Sequence, residues 1–162
     1  MSRAVFLYAA LLLAVIVGLW AVYRILGTPS RLSEADYQVV LDDVCRSVGR
    51  AAARLRQALE GGESEGKLED VATDTRKIFQ TGYFQSLRLR PVSGPDPAAS
   101  IRLTLGQACD AYDWASRMIG SESFSSPIIR DAAWRLLDAG DDSRRRAAAA
   151  LAEFKPESPG SN

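Results

Sequence analysis

The side chains that carry most enzyme chemistry are scarce in this chain of 162 residues. It contains no histidine and only three lysines, Lys67, Lys77 and Lys155. Without histidine the chain lacks the usual general base at neutral pH and the commonest protein ligand of zinc and haem iron. We therefore expect nucleophilic catalysis, which needs a base beside a serine or cysteine, to be absent.

Carboxylates occur close together at Asp42-Asp43, at Asp110 and Asp113, and at Asp141-Asp142. Pairs of this kind can perform acid–base chemistry or hold a divalent cation. Asp110 and Asp113 share a helical spacing, but two carboxylates without further oxygen ligands are weak evidence for a cation. Solvated helix faces and caps explain all three pairs. The sequence predicts no enzyme, no metal and no cofactor.

The two cysteines, Cys45 and Cys109, lie 64 positions apart, which matches neither a zinc motif nor a redox CxxC pair. Each stands beside an apolar position of a predicted helix, so both are expected as small core residues. The alternative is a disulfide between them. It requires an oxidising compartment and two neighbouring helices.

The strongest signal is a run of 20 uncharged, mostly apolar residues from Ala4 to Tyr23. A helix of that length spans about 30 Å, the thickness of the hydrocarbon core of a bilayer. The alternative is a cleaved signal peptide. The run is longer than such a segment needs, and no small-x-small cleavage site follows it. The sequence therefore predicts a single transmembrane anchor within residues 1–26, with the lipid bilayer as its surroundings.

Small residues repeat along one side of this anchor. Ala10, Ala14 and Gly18 are spaced by four, which lets the backbone of a second helix approach closely in lipid. The alternative is chance, because the chain holds 24 alanines. The favoured partners are other integral-membrane protein subunits.

The sequence contains little information about which side of the membrane the domain after the anchor occupies. Arg3 precedes the anchor, and Arg24 and Arg31 follow it, so the positive-inside rule gives a near tie. A very short amino-terminal tail suits a signal anchor that exports the rest of the chain. We expect the remaining domain on the extracytoplasmic, periplasmic side.

Beyond a linker at residues 27–32, helical periodicity dominates. Ser33 is a candidate N-cap, Gly61-Gly62 is a candidate stop, and the apolar positions between them recur in steps of four and three. A similar seam follows Asp96-Pro97. These two seams are Tyr37, Leu41, Val44, Val48, Ala51, Leu55 and Ala58, and Ile101, Leu105, Ala108, Tyr112, Ala115 and Ile119.

Three further helices complete the predicted domain. One runs from Lys67 to Thr81 and ends at Gly82, one runs from Ser126 to Gly140, and one runs from Asp142 to Phe154. The run 144–146, three arginines, then opposes the dipole at the start of the last helix. The fold class is all-α, with one transmembrane helix followed by a four- to five-helix bundle over residues 33–154. Residues 155–162 read as a disordered tail.

The segment from Gly82 to Asp96 is predicted as a long loop rich in interface-type side chains. We expect Tyr83, Phe84, Arg88 and Arg90 to bind a partner; the alternative is that this loop caps the end of the bundle. Trp114 lies off the seam of its helix. It offers a further apolar contact to a partner or packs on a neighbouring helix.

The charges balance, with 20 basic and 20 acidic residues, which argues against a nucleic-acid partner. The sequence favours a non-catalytic, membrane-anchored accessory or scaffolding subunit of a larger integral-membrane complex. The alternative is a membrane-tethered helical sensor or adaptor that reversibly binds a small ligand or a soluble protein.

Overall fold

The computed structural model describes Tyr8 and residues 12–21, 30–91, 96 and 98–154. Residues 12–21 are helical. The remainder forms a short strand β1 (Ser30–Leu32), helix α1 (Glu34–Glu60), helix α2 (Glu65–Arg88), strand β2 (Leu89–Pro91), helix α3 (Ala99–Ile119), a short 3-10 helix (Glu122–Ser125) and helix α4 (Pro127–Glu153). The chain splits into two compact units, Met1–Ser30 and Arg31–Asn162. The helical-bundle prediction is confirmed for the second unit.

The described helices include none that is long and apolar enough to cross a membrane. Much of the predicted Ala4–Tyr23 anchor, including Ala10, lies outside the described residues, as do residues 155–162. The linker predicted at residues 27–32 is described only from Ser30, where β1 begins.

The four long helices run antiparallel in sequence order. Contacts between distant residues show this register: Gln38 in the first turns of α1 bonds the carbonyl of Phe154 after α4, and Arg56 near the end of α1 meets Asp138 in the first half of α4. Helix α3 packs mainly on α2 and α4, and α1 on the same two helices. We call the end with β1, β2 and the start of α1 the sheet end, and the opposite end the turn end.

The predicted seams on α1 and α3 are confirmed, since every member of both is buried. Ser33 caps α1, and its hydroxyl accepts a hydrogen bond from the Asp36 amide at 3.3 Å. After α1, Gly62 has a φ of +63°, a conformation that favours glycine. The core lies between all four helices.

The predicted helix end at Gly82 is wrong. Helix α2 continues through Gly82 to Arg88, and β2 follows directly and pairs with β1. A Cβ at Gly82 would lie 2.9 Å from Val48 Cγ2 and 3.0 Å from Cys109 Sγ. This glycine therefore brings α2 close to α1 and α3, and most of the predicted loop is helix and strand.

The predicted break at Gly140 is also wrong, because Pro127–Glu153 is one helix. A Cβ at Gly140 would lie 2.6 Å from Tyr112 Cε1, so the glycine admits the aromatic ring of α3. The bundle thus has four long helices, and the arginines at 144–146 lie within α4. They do not oppose the dipole of a helix start, since its effect is confined to the terminal turn.

Candidate interaction surface

Four apolar side chains cluster on the outer surface of α2 and α3 near the sheet end. Tyr83, Phe84 and Leu87 are 37%, 63% and 41% exposed, and Leu103 is 54% exposed. The Tyr83 and Phe84 rings meet edge to face at 6.3 Å between centroids. We call these four residues the α2–α3 patch.

The register of the two helices places these residues side by side. Arg102 Nη1 donates to the Ser86 carbonyl at 2.8 Å, and the Ser86 hydroxyl oxygen would lie 3.0 Å from a Cβ at Gly106. The Tyr83 ring approaches that same position to 4.0 Å. Leu103 precedes Gly106 by about one helical turn, on the side of α3 that borders α2. The patch is therefore formed by neighbouring sides of α2 and α3.

Two arginines flank the patch at the carboxyl end of α2. Arg88 is exposed in the last turn of the helix. Arg90 donates from Nη1 to the carbonyls of Leu87 and Leu89, at 2.8 and 2.7 Å, and so holds its cation at the helix end, where it is electrostatically favoured. Four predicted partner-binding residues, Tyr83, Phe84, Arg88 and Arg90, thus belong to one region.

Trp114 is not part of this region. It lies 11 residues after Leu103 on α3, which is about 16 Å along the helix. The ring is 51% exposed, and the Arg117 guanidinium lies 5.3 Å from the ring centroid. Ala14 and Gly18 lie in the amino-terminal helix, where both are exposed. Apart from the backbone of this helix, no atom of the described residues lies within 4 Å of a Cβ built at Gly18.

Sequence reasoning did not anticipate a buried charged network at the sheet end. Arg102, only 7% exposed, donates from Nε to Asp96 Oδ2 at 3.1 Å, and the Tyr37 hydroxyl donates to Asp96 Oδ1 at 3.0 Å. Burial, with the Asp96 carboxylate nearby, raises the pKa of Tyr37 to about 12. The network ties the start of α3 to α1 and α2.

A second network joins α1, α3 and α4 at mid-bundle. Arg56 bonds Asp138 at 2.7 Å and Asp141 at 2.8 Å, and its guanidinium lies 5.4 Å from the centroid of Trp134. The Tyr112 hydroxyl donates to the other oxygen of Asp141 at 2.5 Å. Burial and the Asp141 carboxylate raise the pKa of Tyr112. Because both oxygens of Asp141 accept hydrogen bonds from other helices, this carboxylate holds α1, α3 and α4 together.

One member of each of the other two carboxylate pairs also bonds an arginine on its own helix. Asp42 pairs with Arg46 at 2.9 Å, and Asp113 accepts from Arg117 at 2.8 Å and from Gln80 at 3.1 Å. No group of three or more acidic or cysteine side chains in the described part of the chain is arranged to hold a metal ion.

One pair of residues in the order of a nucleophile and its base was not recognised from the sequence. Ser64 and Lys67 stand in the S-x-x-K order of serine–lysine hydrolases. Both side chains are exposed, and Lys67 Nζ pairs with Glu63 at 3.3 Å, with the lysine side chain 71% exposed. A solvated, ion-paired ammonium does not activate a serine, because an activating lysine needs burial or a neighbouring cation to lose its proton.

Cys45 and Cys109 are free thiols in the core. They are 5% and 0% exposed, and burial raises the pKa of both, that of Cys109 to about 12. A raised pKa keeps a thiol protonated and unreactive. The structure shows both as core residues and shows no disulfide between them.

A groove of about 390 Å³ opens at the turn end, between the α1–α2 turn and the 3-10 helix. Phe124 and Arg130 form one side, with the guanidinium 5.6 Å from the ring centroid. The acidic lining residues are Glu63, Glu65, Glu69 and Glu122. The turn end is therefore acidic, whereas the α2–α3 patch is flanked by arginines.

No protein-family model matches the chain, and neither the curated proteins nor the solved structures include a significantly similar one.

Proposed function

We propose that this protein is a non-catalytic, single-pass membrane-anchored accessory or scaffolding subunit of a larger integral-membrane complex. The observation that carries the proposal is the uncharged run from Ala4 to Tyr23. In its described part, residues 12–21, the large apolar side chains point into open space. Leu12, Leu13, Val15, Ile16, Val17 and Leu19 are 52–66% exposed. A helix that is apolar all round needs lipid or protein around it.

The small-residue side of this helix supports a protein neighbour within the membrane. Gly18 offers backbone without a side chain, and Ala14 lies one turn before it. Close backbone approach allows the dispersion contacts that hold helices together in lipid, where no hydrophobic driving force acts between them.

The bundle supports a structural role by its chemistry. Asp42, Asp113, Asp141 and Asp142 are bonded to arginine or tyrosine donors, and both thiols are buried. The exposed apolar side chains of the described residues include the α2–α3 patch, Trp114 and residues 12–20 of the amino-terminal helix, all of which can serve as recognition surface. A scaffolding subunit needs such surfaces and no reactive group.

The decisive experiment is purification of the full chain from native membranes in mild detergent, followed by mass spectrometry. We expect stoichiometric recovery with other integral-membrane proteins. Gly18→Leu should reduce that recovery, because the added side chain separates the two backbones. Ile16→Leu, on the opposite side of the same helix, is the matched control. Elution alone or as a homodimer would favour the tethered sensor or adaptor.

Membrane insertion itself is tested separately. We expect the chain to resist a carbonate wash and to keep its original amino terminus; an amino terminus beyond Gly27 would identify a cleaved signal peptide instead.

For orientation, a Ser158→Cys variant in intact cells should react with a membrane-impermeant thiol probe if the bundle is extracytoplasmic. The native thiols are buried, so they give little background. Labelling only after lysis would place the bundle on the cytoplasmic side.

A further inference from the structure

We infer that the sheet end of the bundle binds the anionic lipid headgroups of the bilayer that holds the anchor, through the α2–α3 patch with Arg88 and Arg90. The inference rests on the proposed anchor and adds a second membrane contact. Its partner is a phospholipid surface, identified by the chemistry of the patch.

The surface combines exposed apolar side chains with adjacent arginines. Phe84 and Leu87 expose apolar side chains, and Tyr83 presents an aromatic ring that is 37% exposed. Arg88 and Arg90 lie directly beyond them along the chain. Aromatic and aliphatic side chains next to arginine are typical of protein segments at the boundary between headgroups and acyl chains, where apolar groups enter and cations remain among the phosphates.

Charge differs between the patch side of the sheet end and the groove of the turn end. The end of α2 and strand β2 carry Arg88 and Arg90, and residues 82–91 contain no acidic residue. The nearby Asp96 is engaged by Arg102 and Tyr37. Asp36 and Glu153 are also exposed at the sheet end, on α1 and α4. The groove of the turn end exposes Glu65, Glu69 and Glu122, so an anionic membrane is attracted to the α2 side of the sheet end more than to this groove.

The connection between the apolar run and the bundle is short. Only six residues, 24–29, separate the end of the apolar run from β1, and six residues reach at most about 22 Å. Strand β1 pairs with β2, which directly follows α2 and contains Arg90. Helix α2, with 24 residues, is about 36 Å long. A connection this short limits how far β1 can lie from the end of the apolar run, which favours the bilayer over a freely diffusing partner.

The test uses photo-cross-linking of the full chain in vesicles. A benzophenone side chain is introduced at Phe84, or at Ile128 as the matched control. Ile128 is 78% exposed and apolar but lies at the turn end, in the first turn of α4. Vesicles consist of phosphatidylcholine alone or mixed with phosphatidylglycerol. We expect severalfold more lipid adduct at position 84 than at position 128, with a further increase when phosphatidylglycerol is present.

Charge variants test the role of the arginines. Arg88→Gln should abolish the increase caused by phosphatidylglycerol, whereas Lys77→Gln, an exposed cation 11 residues earlier on α2, should leave it intact. An unchanged thermal melt confirms that each labelled variant is folded. An increase that survives Arg88→Gln would overturn the role of this arginine.

The remaining outcomes separate the inference from the proposed function. Lipid adducts equal at the two positions, or absent at position 84 while the chain resists a carbonate wash, would overturn the surface contact and leave the anchor standing. Loss of the chain from the vesicles would overturn the anchor itself. Adducts to protein in place of lipid, in vesicles or in native membranes, would make the patch a protein interface.

Discussion

Gly140 lies in the interior of α4, where the helix backbone passes directly beside the Tyr112 ring. A Cβ added by Gly140→Ala would lie 2.6, 2.8 and 3.0 Å from three atoms of this ring. The shortest of these distances is smaller by about 1 Å than two carbon atoms normally allow. The ring has little room to move. It is fully buried, it stacks on Phe79 at 5.1 Å, and its hydroxyl is bonded to Asp141.

Two opposing terms set the magnitude of the effect. Alanine is favoured over glycine in a helix interior by about 1 kcal/mol. Overpacking a well-filled core costs about 1–3 kcal/mol, and a clash of this depth against a fixed ring belongs at the upper end. We therefore expect Gly140→Ala to lower the free energy of unfolding by about 2 kcal/mol. For a domain of this size, that corresponds to a fall in Tm of about 8 °C.

The assay is thermal unfolding of the full chain in mild detergent, followed by far-UV circular dichroism. Gly66→Ala is the matched control, because Gly66 is exposed in the first turn of α2 and no other atom lies within 4 Å of its added Cβ. It should leave Tm unchanged or raise it slightly. The double variant Gly140→Ala with Tyr112→Leu should lose less stability than the sum of the losses in the two single variants, because the smaller side chain removes the clash. A Tm for Gly140→Ala at or above that of the original chain would refute the reasoning.

Three further predictions follow from the buried polar groups. Asp96→Ala should cost about 3–5 kcal/mol in the same melt, because it leaves the Arg102 guanidinium buried without its carboxylate; a loss below about 1 kcal/mol would contradict this. Stability should fall as pH rises from about 9 to 12, because burial raises the pKa of Cys109 from 9.0 and that of Tyr37 from 10.0, each to about 12, so the unfolded chain releases these protons first. A flat alkaline profile would contradict that. Finally, Cys45 and Cys109 should resist a thiol reagent at neutral pH in the folded chain and react fully in denaturant; rapid labelling without denaturant would show that the core opens.

The apolar seams were predictable because they are local. In α1 and α3 each core residue recurs after three or four positions, and that spacing alone puts all of them on one side of a helix. Ile78 shows the limit of this reasoning. An isoleucine inside an amphipathic helix is expected in the core, yet Ile78 is 37% exposed, because the buried stripe of α2 passes through Thr75, Phe79 and Gly82 instead.

The two misassigned glycines have a common physical reason. Glycine ends helices by adopting a left-handed conformation, and it also allows another element to approach a continuing helix. The same residue type serves both roles, and the residues that face the glycine on neighbouring helices determine which role applies. The buried stripe gives a usable signal, since it continues on both sides of each glycine. In α2 it runs through Phe79, Gly82 and Ser86, and in α4 through Leu137, Gly140 and Ser143.

The charged networks could not be predicted, because their members are distant in the sequence. Tyr37 and Asp96 are 59 positions apart, and Arg56 and Asp141 are 85 apart. An aspartate or arginine in a helix is normally expected on the surface. The residues next to it in the sequence do not indicate a partner on another helix. Of the α2–α3 patch, the sequence singled out only Tyr83 and Phe84, together with the flanking Arg88 and Arg90, and not Leu87 or Leu103. Tyr83, Phe84, Arg88 and Arg90 were close together in the chain, so they stayed together although the predicted loop proved to be helix and strand.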